Sequence, residues 1–253
     1  MLARRVVVCL DVQGGRVVKG ERFVQLRDVG DPVDLAMRYE HEGADEIVFL
    51  DISATADERQ TMLDVARRTA ERLFIPLTLG GGIRSADDVA LALRFGADKV
   101  SINSAAVSRP AVLAESAARF GSQCVVASID ARREDEGWRV YTHGGRTRTE
   151  LDALEWARAC VAHGAGEILL TSIDRDGTRA GYDLELTRAI VGAVDVPVVA
   201  SGGAGSAADV LEVLDHARAD AALVAGILHD AVTTVGAIKQ LLASSGLPVR
   251  AVA

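Results

Sequence analysis

The feature of this sequence that most restricts its fold is an internal repeat about half the chain long. The stretch His41–Ile47 is similar to Ala162–Ile168, which lies 121 residues further on. At the same spacing, Gly80–Val89 is similar to Ser201–Val210. Two copies of this length argue against a solenoid, which is built from shorter and more numerous repeats.

Each copy contains four short apolar runs, separated by stretches with helical spacing. The runs are Val6–Leu10, Glu46–Leu50, Ile75–Leu79 and Lys99–Ile102 in the first copy, and Cys124–Ile129, Glu167–Thr171, Val196–Ala200 and Asp220–Val224 in the second. Apolar strands that alternate with helices are typical of a parallel sheet. An open doubly wound sheet has the same periodicity, but the repeat favours a closed ring. We therefore predict an α/β fold of one domain, a (βα)₈ TIM barrel built from two similar half-barrels, approximately residues 1–121 and 122–253.

Two glycine-rich loops occupy equivalent positions in the two copies. Gly80–Ile83 and Ser201–Ala204 each follow a strand and precede a helix that a serine can cap. Such a loop lets backbone approach a ligand closely, and a helix N-terminus favours phosphate. One loop is explained equally well as a tight turn, but two matched copies favour phosphate binding. The predicted ligands are Gly81, Gly82, Asn103 and Ser104 in the first half, and Ser201, Gly202, Gly203, Ala225 and Gly226 in the second.

Two aspartates end opposite strands of the predicted ring. Asp11 follows the first apolar run and Asp130 the fifth. Residues at the C-terminal ends of barrel strands face the active mouth. A lone strand-end aspartate more often caps a loop or pairs with a base, here Lys19 or Arg132. Because these two lie symmetrically between two phosphate sites, we predict that they are a catalytic acid–base pair acting on a substrate with a phosphate at each end.

Weaker signals add three residues to the predicted mouth. Lys19 lies in a glycine-flanked loop after the first strand, and Asp176 and Gly177 follow the sixth strand. Each is in a position to contact a substrate held between the phosphate sites.

Four charged residues begin strands and should therefore meet at the N-terminal end of the barrel. They are Arg5, Glu46, Lys99 and Glu167, which alternate in sign. From the residues alone, we interpret them as a stabilising ring of salt bridges.

Composition excludes several classes of function. The net charge of −8 argues against a nucleic-acid-binding protein. The three cysteines are far apart and no HxH or HExxH spacing occurs, so we expect no disulfide framework, no catalytic metal and no cofactor. Neither a signal peptide nor a membrane span is visible, and we expect a cytoplasmic protein.

Motifs along almost the whole chain resemble the cyclase subunit family of imidazole glycerol phosphate synthase, an enzyme of histidine biosynthesis. The matching stretches include Cys9–Val12, Gly15–Gly20, Gly80–Ile83, Ala97–Asn103, Phe120–Gln123, Gly164–Gly177 and Ala200–Gly205. Gly14, Ser128, Arg218 and Gly226 depart from the family's usual residues.

The resemblance implies a specific reaction. Ammonia from a glutaminase partner would add to a ribulosyl bisphosphate intermediate, giving imidazole glycerol phosphate and an aminoimidazole carboxamide ribotide. By the same resemblance, Asp11 and Asp130 are the acid–base pair, and the partner docks on the N-terminal face. The resemblance further implies that the charged ring is the entrance for ammonia. This revises our structural interpretation of the ring, and the revision rests on analogy alone.

Two rival functions remain at this stage. The paralogous isomerase of the same pathway shares the two-half barrel and rearranges a ribosyl precursor without ammonia. The loop Val17–Gly20 and the stretches Asp174–Thr178 and Gly181–Asp183 favour the cyclase. A non-catalytic barrel that only binds a phosphorylated ligand is the other alternative.

Overall fold

The computed structural model describes residues 2–21, 24–52, 56–135 and 137–251. Its strands are β1 (Arg5–Gln13), β2 (Arg16–Glu21), β3 (Val24–Gly30), β4 (Glu46–Asp51), β5 (Leu77–Gly80), β6 (Lys99–Ile102), β7 (Val125–Glu134), β8 (Gly137–Thr142), β9 (Thr147–Asp152), β10 (Glu167–Ser172), β11 (Val198–Ser201) and β12 (Ala221–Val224). Its helices are α1 (Pro32–His41), α2 (Ala56–Ala70), α3 (Ala86–Arg94), α4 (Ser104–Ser108), α5 (Ala111–Phe120), α6 (Ala153–Ala162), α7 (Leu184–Val191), α8 (Ala207–Asp215), α9 (Gly226–His229) and α10 (Val235–Ser244). A 3₁₀ turn, Ser122–Cys124, precedes β7.

Eight parallel strands form a closed barrel with helices between them. The ring runs β1, β4, β5, β6, β7, β10, β11 and β12. Parallel pairing of β12 with β1 closes it, so that no edge strand is left open in the ring. The predicted (βα)₈ fold is confirmed, and its first and fifth strands, β1 and β7, lie opposite each other. The division into half-barrels near residue 121 stays a prediction.

Along each barrel strand, successive side chains point alternately into the barrel and outward to the helices. The side chains that cluster inside the barrel are Val7, Cys9, Val48, Val126, Leu169, Val199, Ala221 and Leu223. The intervening residues, such as Val6, Val8 and Leu10 of β1, pack outward in the larger core shared with the helices. This period of two places Asp11 on the inner face of β1 and Asp130 on the inner face of β7.

Two antiparallel hairpins at the barrel mouth were not predicted from the sequence. β2 pairs with β1 and β3 after the first barrel strand, and β8 pairs with β7 and β9 after the fifth. The prediction that Lys19 lies in a loop is therefore wrong, because it belongs to β2. The two hairpins occupy equivalent places in the two copies of the repeat.

Local structure also repeats between the copies. Ser85 and Ser206 each cap a helix through a capping box, with Asp88 and Asp209 as the reciprocal partners. Both predicted serine caps are confirmed. Among the described residues, no helix has the length and apolar character needed to cross a membrane.

Candidate active site

Asp11 is buried at the C-terminal end of the barrel. Its Oδ1 atom lies 3.8 Å from the Sγ atom of Cys9, the preceding inward-facing residue of β1. Burial and the negative charge of Asp176 together raise the pKa of Asp11 to about 7, although the Cys9 contact opposes the shift. A carboxyl group with this pKa exchanges protons readily near neutral pH.

Asp130 is buried on the opposite strand and has a different environment. The side-chain amide of Asn103 donates a hydrogen bond of 2.9 Å to its Oδ2 atom. Burial raises the pKa of Asp130 to about 6, and the Asn103 hydrogen bond opposes this because it favours the ionised form. The Oδ1 atom of Asn103 is buried and has no partner among the described residues, so it is positioned to accept a hydrogen bond from a ligand.

Asp176 brings a third carboxyl group to the mouth. It lies in the loop after β10, and burial raises its pKa. Its charge acts on both Asp11 and Asp130. The alternative pairings considered from the sequence are not those in the structure, because Lys19 contacts Asp230 and Arg132 lies 4.0 Å from Asp174.

The two glycine loops have the same packing role in each half. A Cβ atom on Gly81 would lie 2.1 Å from the carbonyl oxygen of Asp51, and one on Gly202 would lie 2.7 Å from that of Ser172. Both glycines have a φ of +90°. Close packing against the end of the preceding strand therefore requires glycine at both positions.

The backbone N–H groups that come just before the two following helices already have partners. Asp88 accepts hydrogen bonds from the backbone N–H groups of Arg84 and Ser85. In the second half, Asp209 accepts from those of Gly205 and Ser206. The candidate phosphate sites are therefore the glycine loops and the next βα turn in each half.

That next turn has the same unusual backbone in both halves. Asn103 precedes α4 with φ −114° and ψ −94°, and Ala225 precedes α9 with φ −136° and ψ −80°. The first helical residues are Ser104 and Gly226, so all four predicted residues follow the C-terminal ends of β6 and β12. The Ser104 hydroxyl accepts a 2.9 Å hydrogen bond from the backbone N–H of His143, in the turn between β8 and β9.

The remaining predicted ligands also lie at this end of the barrel. Gly177 follows Asp176 in the loop after β10, while Ser201 ends β11 and Gly203 follows Gly202. Lys19 donates a 3.2 Å hydrogen bond to the carbonyl oxygen of Gly226, which links the first hairpin to the turn after β12.

The family model described as "Histidine biosynthesis protein" matches residues 5–234. The chain belongs to this family. A protein of Myxococcus xanthus named imidazole glycerol phosphate synthase subunit HisF is 71% identical over 250 residues, which are 99% of each chain. A protein of Dehalococcoides mccartyi with the same name is 58% identical over 250 residues, again 99% of each chain.

At the opposite end of this member of the histidine biosynthesis family, the four predicted ring residues do meet. Arg5 contacts Glu167 and lies 3.0 Å from Glu46. The ammonium group of Lys99 lies 2.8 Å from both glutamates. The four ion pairs form a closed square, and both glutamates are buried.

Sequence reasoning missed three charged residues at the mouth. Arg27, Arg179 and Asp230 join Lys19 in one ion-pair cluster beside Gly226. They lie on segments far apart in the chain.

Proposed function

We propose that this chain is the cyclase of imidazole glycerol phosphate synthase. It would use ammonia to convert a ribulosyl bisphosphate intermediate into imidazole glycerol phosphate and an aminoimidazole carboxamide ribotide. The full-length relatives that carry this enzyme's name support the proposal, as does family membership. The observation that carries the chemistry is a pair of buried carboxyl groups, Asp11 and Asp130, between two loops suited to phosphate.

The two carboxyl groups suit different parts in the reaction. Asp130, with a pKa of about 6 and the Asn103 hydrogen bond, is mostly ionised at neutral pH and is assigned as the general base. Asp11, with a pKa of about 7, retains a proton more readily and is assigned as the general acid. Protonation of the leaving nitrogen by one and deprotonation by the other are the steps that ring closure and bond cleavage need.

The substrate would span the mouth from one phosphate loop to the other. Gly81, Gly82, Asn103 and Ser104 bind one phosphate, and Ser201, Gly202, Gly203, Ala225 and Gly226 bind the other, while Lys19, Asp176 and Gly177 contact the substrate between them. Binding at both ends fixes the reacting centre close to the two carboxyl groups, which lowers the entropic part of the barrier.

The charged ring is the proposed ammonia entrance. The side chains above it inside the barrel are mainly apolar, which suits neutral ammonia and disfavours the ammonium ion. In the closed square, an ion pair among Arg5, Glu46, Lys99 and Glu167 must separate before ammonia passes. We propose that a glutaminase subunit docks on this face and supplies the ammonia.

The same proposal includes a partner chain and a location in the cell. The word "subunit" in the relatives' names supports a complex with a second chain. All three cysteines are buried as free thiols, which is typical of a reducing compartment, and we propose a cytoplasmic location.

The purified chain, mixed with the ribulosyl bisphosphate and excess ammonium at mildly alkaline pH, tests this function. We expect consumption of the intermediate only when ammonium is present. Rearrangement of the earlier ribosyl precursor without ammonium would instead identify the isomerase. A rise in melting temperature with no consumption of either compound would indicate a barrel that only binds phosphates.

A further inference from the structure

Three cations converge on one carboxylate at the mouth of the barrel. The Oδ2 atom of Asp230 contacts the ammonium group of Lys19 and the guanidinium group of Arg179, and its Oδ1 atom contacts Arg27. We call these four residues the Asp230 cluster. About a fifth of the side chain of Asp230 is exposed, so the cluster is accessible to a ligand from solvent.

The Asp230 cluster joins elements that are distant in sequence. Lys19 and Arg27 are direct cross-strand partners in the β2–β3 hairpin. Two like charges facing each other across strands destabilise a hairpin unless an anion lies between them. Asp230, which immediately follows α9, supplies that anion. Arg179 comes from the loop after β10 and has a φ of +56°, a left-handed conformation that is uncommon outside glycine.

Two of the three cations lie beside Gly226, in the turn after β12 that is the candidate phosphate site of the second half. A Cβ atom on Gly226 would lie 3.5 Å from the Lys19 ammonium nitrogen and 4.0 Å from a guanidinium nitrogen of Arg179. Gly226 therefore leaves open the space that these cations border. One carboxylate neutralises one of the three positive charges, which leaves a net charge of +2 on the Asp230 cluster. A phosphate dianion matches this excess in charge, and arginine is suited to bind its oxygens in pairs.

We propose that Arg27 and Arg179 bind the phosphate held beside Gly226, and that Asp230 is a positioning residue that holds both arginines and Lys19 in place when the phosphate is absent. On arrival, the phosphate takes over these cations from the Asp230 carboxylate. The hairpin thus remains docked in both states, with a different anion at its centre. That the phosphate belongs to a ribulosyl bisphosphate rests on the proposed function, but the binding of phosphate by these residues does not.

Titration of the full chain with inorganic phosphate, followed by ³¹P NMR, tests the two arginines. We expect two binding events in the unmodified protein. Arg179→Gln and Arg27→Gln should each weaken one event about tenfold and leave the other unchanged, because each removes a charge-assisted hydrogen bond. Arg16→Gln is the matched control, since it removes a cation of the same hairpin that pairs with exposed Asp28 instead. Equal affinities in all four proteins, or no phosphate binding by the unmodified chain, would overturn the assignment.

Limited digestion with trypsin tests Asp230. In Asp230→Asn, the facing cations Lys19 and Arg27 lose their counter-ion, so cleavage after them should accelerate at least about tenfold and phosphate should restore protection. Asp28→Asn makes the same charge change in the same hairpin but leaves the Asp230 cluster intact, and its digestion should not depend on phosphate. If phosphate fails to protect Asp230→Asn, or protects Asp28→Asn equally, the positioning role is refuted.

These readouts are independent of turnover. A chain that binds phosphate as described but does not consume the ribulosyl bisphosphate would contradict the proposed function and leave this inference standing. If the unmodified chain consumes the ribulosyl bisphosphate while Arg27→Gln and Arg179→Gln bind phosphate normally, the proposed function stands and this inference is refuted.

Discussion

Replacement of Asp11 by asparagine should stabilise the protein at alkaline pH while it abolishes catalysis. Burial raises the pKa of Asp11 to about 7 in the folded chain, whereas an aspartate in an unfolded chain titrates near about 3.9. The folded state therefore disfavours the ionised form. Because the folded pKa is the higher one, Asp11 costs almost no stability below pH about 4, lowers it progressively as the pH rises from about 4 to about 7, and lowers it by a constant amount at higher pH.

The size of this effect follows from the two pKa values. A rise from 3.8 to about 7 corresponds to about 4 kcal/mol at about 1.36 kcal/mol per pH unit. Asparagine has nearly the same shape, keeps an Oδ1 acceptor for the Cys9 thiol and carries no charge. We therefore expect Asp11→Asn to raise the free energy of unfolding by about 4 kcal/mol at pH 8.5 and by almost nothing at pH 4.

Denaturant unfolding measured at several pH values between 4 and 8.5 checks this prediction. The unmodified chain, Asp11→Asn and Asp130→Asn are compared, with Asp87→Asn as a control. The side chain of Asp87 is 88% exposed and pairs with Arg119, so its loss should change stability by less than about 1 kcal/mol. Asp130→Asn should show a smaller alkaline gain than Asp11→Asn, because the pKa of Asp130 is about 6.

The result that would refute the reasoning is a pH-independent difference between Asp11→Asn and the unmodified chain. A loss of stability at pH 8.5 would contradict it equally. Either outcome would mean that Asp11 is not a buried carboxyl group with a raised pKa, and its assignment as a general acid would lose its physical basis.

Three further predictions concern other parts of the molecule. Asn103→Ala removes the hydrogen bond that lowers the pKa of Asp130, so the acidic limb of the pH profile of kcat/KM should move to higher pH. An unchanged acidic limb would show that Asn103 does not control the pKa of Asp130. Arg218→Gly relieves a left-handed residue at φ +62° and should raise the melting temperature by about 2–4 °C, or about 1 kcal/mol; an unchanged or lower value in calorimetry would count against strain there. Asp45→Ala leaves the buried ammonium of Lys239 without its 2.6 Å partner and should cost about 3–5 kcal/mol in urea unfolding, so a cost below about 1 kcal/mol would contradict the pair's importance.

Arg218 also illustrates what the repeat could and could not predict. The turns before β4, β6 and β10 have glycines at φ +99°, +97° and +97°, namely Gly43, Gly96 and Gly164. The turn before β12 has Arg218 in a comparable left-handed conformation. Arg218 lies 122 residues after Gly96, close to the spacing of the repeat, and the geometry is kept although the residue differs. Register and turn position are therefore readable from such a sequence, whereas local strain is not.

The missed hairpins have different explanations. In β8, buried Trp138 and Val140 alternate with half-buried Gly137 and Arg139, and Gly144-Gly145 supplies a turn before β9, so a strand signal was present. In the first hairpin, β2 and β3 contain Arg16, Lys19 and Arg27, and no apolar run marks a strand.

The sequence could predict those residues of the candidate site that lie at the ends of barrel strands. The inward period of β1 and β7 placed Asp11 and Asp130 correctly at the mouth, because parallel strands end together. The Asp230 cluster joins three distant segments through ion pairs, which leave no periodic trace in a single sequence. Such contacts become visible only once the fold brings the segments together.

The most direct test of the proposed cyclase is the fate of ammonia nitrogen. The purified chain is incubated with the ribulosyl bisphosphate and ¹⁵N-ammonium, and the products are separated and analysed by NMR. The account predicts that ¹⁵N enters the ring of imidazole glycerol phosphate, and that Asp11→Asn and Asp130→Asn form at least about a hundredfold less labelled product. Consumption of the substrate without ¹⁵N in an imidazole ring, or normal labelling by both variants, would contradict it.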